Sequence, residues 1–373
     1  MKIFRALCAL LLTCALISSL TLPLHAAKVS DTPQLSAKSA ILIDVSDKSV
    51  LYQKNARERM GMASTTKIMT ALIIAEELPP DKKIAIPKAA VNTEGSSVYL
   101  TEGELLSVRE LLCALLLSSA NDAAVALAIA SAGSIEAFSD KMNRKAKELG
   151  LTDTNFVNPH GLYDPAHYTT AYDLAIISAE ALKNSAIKEI AGLKTAIIPQ
   201  GVSATSPEGI SKRYLYNHNK MLKLYDGTIG LKTGFTKKTG RCLVSAAERD
   251  GLCLIAVTLC APDDWRDHTA MLDYGYSRYT RLTLFEKGEF TYQYAVTGGN
   301  EQYVTLVNSE ALTLTLPKEY SQTLCTVTSA HRFEFAPIQA GKALAQVTVS
   351  AHGKSASSQL VALHSVDSIK KRR

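Results

Sequence analysis

Three short motifs carry residue types suited to nucleophilic chemistry, and they occur in the order Ser64-Thr65-Thr66-Lys67, Ser119-Ala120-Asn121 and Lys232-Thr233-Gly234. A serine hydroxyl is a poor nucleophile until a base takes its proton. At positions i and i+3 of a helix, Ser64 and Lys67 share a face, so the amine can reach the hydroxyl. A lysine acts as such a base only if burial or a second cation lowers its pKa. A helix N-terminus also presents the Ser64 amide to a developing oxyanion. Alone, S-x-x-K is a weak signal, because Ser185-Ala186-Ile187-Lys188 and Ser368-Ile369-Lys370-Lys371 share it. A single match is ordinarily a capping serine and a solvated lysine. Ser64 stands apart because a strand-rich segment precedes it and an apolar helical segment follows.

Ser119-Ala120-Asn121 is the only S-x-N in the chain, and it interrupts an apolar helical run between Leu111 and Ile129. Its polar groups are therefore buried and need partners. One reading is a helix break capped by Ser119 or Asn121. The other gives Ser119 a proton relay to a leaving group and has Asn121 hold Lys67 and a substrate backbone. Lys232-Thr233-Gly234 ends an apolar approach, Thr228 to Leu231. A lysine on a strand edge is ordinarily a solvated charge that discourages aggregation. A neighbouring glycine instead lets a ligand come close to the backbone. That suits a strand that docks a peptide and reads its carboxylate through Lys232 and Thr233.

Regular elements must hold these groups. Ile41, Ile43 and Val45 alternate before a turn at Ser46-Asp47-Lys48, which predicts a hairpin over Ser39 to Lys54. From Ser64 the period becomes helical, with Ile68, Leu72 and Ala75 on one stripe. Further helices are predicted over Val108 to Leu117, Asp122 to Ala132, Ile135 to Leu149 and Ala171 to Leu182. A strand is expected over Tyr225 to Thr233. Two more, Leu243 to Ala247 and Leu252 to Leu259, flank the turn signal Asp250-Gly251, and a helix follows over Asp264 to Tyr279. The fold class is α+β. Beyond about Arg281, short alternating runs such as Tyr303 to Val307 and Ala311 to Leu316 predict a small all-β module ending in a strand over Leu360 to Val366.

Of the 373 residues, 47% are apolar and 20% charged, which excludes disorder and coiled coil. Lys2 and Arg5 precede an apolar run from Ala6 to Leu20, and Pro23-Leu24-His25-Ala26 closes on a small residue. Residues 1–26 therefore read as a secretory signal, with an uncleaved anchor as the alternative. Its removal lowers the formal net charge from +6 to about +4, since Lys2 and Arg5 leave with it. The basic residues are scattered and only Lys370 to Arg373 form a run, so nothing in the sequence points to nucleic-acid binding. Five cysteines remain, Cys113, Cys242, Cys253, Cys260 and Cys325. An odd count without C-x-x-C spacing argues against a zinc site and a dense disulfide framework, although a Cys242–Cys260 bridge stays open.

The three motifs together, with Asn158-Pro159-His160-Gly161-Leu162, His167-Tyr168-Thr169-Thr170-Ala171 and Asn217-His218-Asn219-Lys220-Met221-Leu222 between them, make a joint signal stronger than any one. Over roughly Gln34 to Val366 the chain resembles the low-molecular-mass penicillin-binding D-alanyl-D-alanine carboxypeptidases. Ala261-Pro262-Asp263-Asp264-Trp265 and Leu272-Asp273-Tyr274-Gly275 are similar to forms found in Bacillus and Clostridium relatives. The resemblance implies a β-lactamase/transpeptidase-like catalytic domain (27–281), an all-β C-terminal domain (282–366) and a short basic tail (367–373). It implies an acyl-enzyme on Ser64, with Lys67 as base, Ser119 as second catalytic serine and Asn121, Lys232, Thr233 and Gly234 as substrate ligands. The backbone amides of Ser64 and Phe235 would form the oxyanion hole. No metal or cofactor is implied. The expected partners are a peptidoglycan stem peptide ending in D-Ala-D-Ala and β-lactam antibiotics, met outside the cytoplasm in the cell wall or at the outer face of the membrane. Relatives usually end in a longer amphipathic helix, so only a weak, salt-sensitive membrane-surface contact is expected here. The alternatives are a D,D-endopeptidase, a β-lactamase and a non-catalytic wall-binding protein. Class A β-lactamases deacylate with an E-x-x-L-N glutamate, and Glu180-Ala181-Leu182-Lys183-Asn184 only approximates that pattern.

A second K-T-G triplet, Lys238-Thr239-Gly240, lies six positions after the first. Six extended residues span about 20 Å, so both cannot read one carboxylate. Lys238 follows the polar Thr236-Lys237 and is read as a turn charge. Lys232→Ala should remove most turnover of D-Ala-D-Ala peptides, whereas Lys238→Ala should change it less than about threefold. Steady-state assays of the two variants check this, and the opposite ranking would misplace the motif.

Overall fold

The computed structural model describes residues 32–200, 211–320 and 322–369. The expected leader, 1–26, and the basic run Lys370 to Arg373 lie outside them. β1 (Ser39–Asp44) is buried along its whole length and pairs with β2 (Val50–Lys54). Asp44 fastens the intervening turn by accepting the Ser46 N–H at 2.8 Å. A 3-10 turn, Ala63–Thr66, then runs into α1 (Lys67–Glu77). The short pair β3 (Lys83–Ala85) and β4 (Leu105–Ser107) leads to α2 (Val108–Leu116), which starts on a capping box of Ser107 and Glu110. α3 (Asn121–Ala132), α4 (Ile135–Glu148), α5 (Ala171–Ala181) and α6 (Ser185–Gly192) follow. Ser134, Thr170 and Asn184 cap the last three of these by accepting orphan backbone N–H groups.

After β5 (Thr195–Pro199), β6 (Lys212–Tyr216) and the one-turn α7 (Met221–Leu224) come the strands that matter most to the site. β7 (Thr228–Thr236), β8 (Gly240–Arg249) and β9 (Leu252–Leu259) join β1 and β2 in an antiparallel sheet of order β2-β1-β9-β8-β7. β7 is therefore an edge strand. Side chains alternate across this sheet. Ile41, Ile43, Val244, Ile255 and Val257 face the helical cluster, while Leu42, Leu243, Leu254 and Ala256 pack on Met271 and Leu272 of α8 (Asp264–Arg278). β9 keeps the bounds expected from its apolar run, whereas β8 extends beyond Leu243 to Ala247 at both ends, where Gly240, Arg241, Glu248 and Arg249 continue the pairing with its neighbours.

The C-terminal part is all-β, as expected. Tyr279–Phe285 pairs with Leu312–Pro317, and six further strands form a second sheet around Val304, Leu306, Val347, Val349 and Leu360. The final strand is Lys354–Ala362, earlier than the sequence pattern suggested. Leu360, Ala362 and Val366 are all buried at even spacing, so alternation alone hides the break at exposed Leu363. Val366 then bridges to Ile338, and Ser368 to Gly299. Lys354 ties this part to the β1–β2 turn, with Nζ 2.7 Å from Ser49 Oγ and 3.3 Å from Asp47 Oδ2. Among the described residues no single helix is long and apolar enough to cross a membrane.

Two glycines let separate segments close on the 3-10 turn. A Cβ on Gly234 of β7 would lie 2.8 Å from the Ser64 amide nitrogen. One on Gly161, where φ is +88°, would fall 1.9 Å from the Ala63 carbonyl oxygen. Gly161→Ala combines a left-handed backbone with a clash against main chain, for a destabilisation of about 2–4 kcal/mol. Thermal melts should show the loss, and an unchanged Tm would refute this close packing.

Candidate active site

The 3-10 turn brings Ser64 and Lys67 together more directly than an α-helix would, since i and i+3 side chains eclipse at three residues per turn. Lys67 Nζ lies 3.0 Å from Ser64 Oγ, 2.7 Å from Asn121 Oδ1 and 2.7 Å from the His160 carbonyl oxygen. Lys67 is 0% exposed, and among the described residues no carboxylate pairs with its amine at hydrogen-bond distance. Burial, reinforced by the nearby Lys232 cation, holds its pKa well below the ordinary lysine value, and Asp122 opposes this only in part. Asn121 is clamped in turn: its Nδ2 donates to the Glu94 carbonyl at 2.5 Å and its own amide to the Ser96 carbonyl at 2.7 Å.

Thr66 and His167 brace the turn from behind. His167 Nδ1 accepts the Val157 N–H at 3.1 Å, so the proton belongs on Nε2, which donates to Thr66 Oγ1 at 2.7 Å. Thr66 Oγ1 passes its own proton to the Ala63 carbonyl at 2.8 Å. Burial lowers His167 to about 4 and His160 to about 3, so both rings are neutral near pH 7. Ala63 and Ser119 have φ of 47° and 59°, left-handed values that non-glycine residues adopt at a cost in backbone strain. Ser119 lies in the break between α2 and α3 and is 5% exposed, but it does not cap it: the N-cap of α3 is Ala120, with no side-chain cap bond, and Asn121 is already the first helical residue.

Lys232 is 1% exposed, its Nζ 2.9 Å from the Thr233 carbonyl oxygen. Burial pushes its pKa down to about 7. The β7–β8 register puts Lys232 opposite Val244 and Gly234 opposite Cys242, on the face towards Ser64, whereas Thr233 and Phe235 sit opposite Leu243 and Arg241 on the α8 face. Ser64, Ser119, Thr233, Gly234 and Phe235 line one cleft of about 620 Å³ along the open edge of β7. Every residue expected from the three motifs thus lies in or directly behind this cleft. Lys238 sits instead in the exposed β7–β8 turn.

Comparison with known proteins bears on this arrangement. Residues 26–263 match the model of the D-alanyl-D-alanine carboxypeptidase family, and residues 279–368 match the C-terminal domain of penicillin-binding protein 5. The chain belongs to the D-alanyl-D-alanine carboxypeptidase family. It is 37% identical over 290 residues to the carboxypeptidase DacF of Bacillus subtilis, covering 76% of this chain and 73% of that one. To DacC of Escherichia coli it is 30% identical over 343 residues, covering 87% and 82%. Penicillin binding protein 5 from Haemophilus influenzae superposes with a TM-score of 0.73 at 26% identity over 90% of this chain and 98% of that one. The enzyme is a serine hydrolase of this type, with the α+β catalytic part and all-β C-terminal part of the penicillin-binding proteins.

Several residues of this carboxypeptidase's site carried no signal of their own in the sequence. The His160, Glu94 and Ser96 contributions are main-chain carbonyls, which any residue type supplies. Asn158-Pro159-His160-Gly161-Leu162 stood out as a motif, but that it seats a carbonyl on Lys67 and a glycine on the 3-10 turn depends on tertiary contacts. Arg241, Asp264 and Trp265 also line the cleft. Cys242 and Cys260 are free thiols, so the bridge left open by the sequence is not formed. Among the described residues no group of three His, Cys, Asp or Glu side chains could hold a metal ion.

The buried lysines lower stability at neutral pH. Lys232 binds its proton up to about 7 when folded but up to 10.5 when unfolded. Between those values the unfolded chain holds more protons, so stability rises with pH, and the penalty is complete below about 7. Lys67 acts in the same direction. Lys232→Met should therefore raise Tm above wild type at pH 6, with the gap narrowing towards pH 10. A gap independent of pH would mean that Lys232 is not the titrating group.

Proposed function

We propose that the enzyme removes the terminal D-alanine from peptidoglycan stem pentapeptides through an acyl-enzyme on Ser64, and that penicillin acylates the same serine. The observation that carries this reading is the set of three contacts at Lys67 Nζ. The His160 carbonyl and Asn121 Oδ1 can only accept hydrogen bonds, so a neutral amine spends both of its protons on them. Its lone pair is then directed at Ser64 Oγ, 3.0 Å away, the one partner able to give a proton.

Ser64 Oγ attacks the carbonyl of the penultimate D-alanine while its proton passes to Lys67. The amides of Ser64 and Phe235 receive the oxyanion, in a pocket where backbone dipoles need no reorganisation. Ser119 relays a proton to the leaving D-alanine amine, and Asn121 steadies both Lys67 and the substrate backbone. Lys232 and Thr233 hold the terminal carboxylate against Gly234. The charge of that carboxylate favours the protonated form of Lys232, which takes its proton from solvent, and the resulting cation keeps Lys67 neutral for its role as base. Water then takes the serine's place as nucleophile and frees the shortened peptide. The enzyme is exported by the signal at residues 1–26 and works in the wall or at the outer face of the membrane.

Ser64→Ala should abolish covalent labelling by a fluorescent penicillin in a folded protein, and Lys67→Ala should slow it by about 10²–10⁴. D-alanine release from a pentapeptide, compared with cleavage of a cross-linked dimer, fixes the substrate class. Faster cleavage of the dimer would make the enzyme an endopeptidase, and labelling of Ser64→Ala at the normal rate would place the nucleophile elsewhere.

A further inference from the structure

Lys220, Lys223 and the Arg241–Asp264 pair are charged groups of the cleft that the acylation step does not use, and of these Arg241 and Asp264 hold each other in a fixed geometry. Phe235 and Arg241 are directly opposite on β7 and β8, so their side chains share the sheet face that carries α8. There Arg241 places Nε 3.0 Å and Nη2 2.8 Å from Asp264 Oδ1, and its guanidinium lies 5.4 Å from the centre of the Trp265 ring. The two partners are not equally accessible: the Asp264 side chain is 3% exposed and that of Arg241 41%. A ligand in the cleft meets the cation, while the carboxylate behind it fixes the orientation of the fork. Phe235 adds an apolar wall, with 64% of its surface exposed in the same cleft.

The chain direction of β7 says which part of a substrate arrives there. Lys232 and Thr233 take the terminal carboxylate, and the scissile carbonyl lies over Gly234 and Phe235. The remainder of the peptide must leave past Phe235, towards Thr236 and the Arg241 end. At about 3.3 Å per extended residue, the residue preceding the acylated D-alanine comes beside Phe235 and Arg241. In a stem peptide this third residue is a diamino acid with a long aliphatic stem, ending either in an amine alone or in an amine with a carboxylate. An aliphatic stem fits an exposed phenyl ring. A guanidinium pairs with a carboxylate and repels a lone ammonium.

We propose that Arg241, seated on Asp264 and Trp265 beside the Phe235 ring, is a specificity-determining residue that selects stem peptides whose third residue carries a free side-chain carboxylate. This rests on the carboxypeptidase reading and names the substrate form that the same cleft takes.

The test compares D-alanine release from two pentapeptides that differ only at that group, one a free carboxylate and the other its carboxamide. Wild type should favour the acid in kcat/KM by about tenfold or more, the scale of one charge-assisted hydrogen bond. Arg241→Gln should lose this preference through a fall on the acid, with the amide changed less than about twofold. Because that variant leaves Asp264 buried without its partner, the pair Arg241→Gln with Asp264→Asn is measured as well and should give the same loss of preference. Acylation by a penicillin lacking any such side chain should proceed at the wild-type rate in both variants, which reports an intact catalytic centre. Equal use of acid and amide by wild type, or a preference that survives in both variants, overturns the proposal alone. Release of D-alanine from neither peptide by wild type overturns the carboxypeptidase reading and the proposal with it.

Discussion

Burying the amine of Lys67 with no carboxylate at hydrogen-bond distance among the described residues is the constraint around which the catalytic part is organised. A fully desolvated ammonium is costly, and the usual remedy is an ion pair that would keep the proton in place. Here Lys67 has instead a carbonyl, a side-chain amide oxygen and a hydroxyl as partners. Oxygens of this kind satisfy the N–H groups without holding the positive charge. The neutral form is thereby favoured, and the hydroxyl is left as the one partner that can return a proton. Each of the three comes from a different segment, so the whole helical cluster has to be in place before the site exists.

Close approach of main chain is the second requirement. The 3-10 turn is pressed between Gly234 on the edge strand and Gly161 on the 158–162 loop, and neither position has space for a Cβ. Two buried carboxylates further out, Asp122 and Glu104, anchor the loops around it. Asp122 accepts the Ser97 hydroxyl at 2.6 Å and the Leu100 N–H at 3.0 Å, which fixes the loop supplying the carbonyls that Asn121 reads. Glu104, fully buried, receives the Arg213 guanidinium, which also donates from Nε to the Val98 carbonyl at 2.8 Å. Buried charges in this part thus position the loops around the cleft, and the sheet supplies the rigid floor.

The sequence by itself determined the α+β class, the all-β C-terminal part and the three motifs, because hydrophobic period and residue type are local properties. The β1–β2 hairpin, the β8–β9 turn and most helix starts were legible for the same reason: their capping and turn residues act within four positions. The placing of Lys238 in a turn also followed from local polarity, and it is exposed there. Tertiary structure alone decided what lies around the lysines. Desolvation depends on atoms brought from far along the chain, so no spacing rule could show that Lys67 and Lys232 are buried and share one electrostatic environment. The His160 carbonyl, the even-spaced break after Ala362 and the Arg241–Asp264 pair were hidden likewise. A carbonyl has no residue-type signature, alternation does not register a change of partner, and an arginine 23 residues from its aspartate meets it only once β8 and α8 have packed.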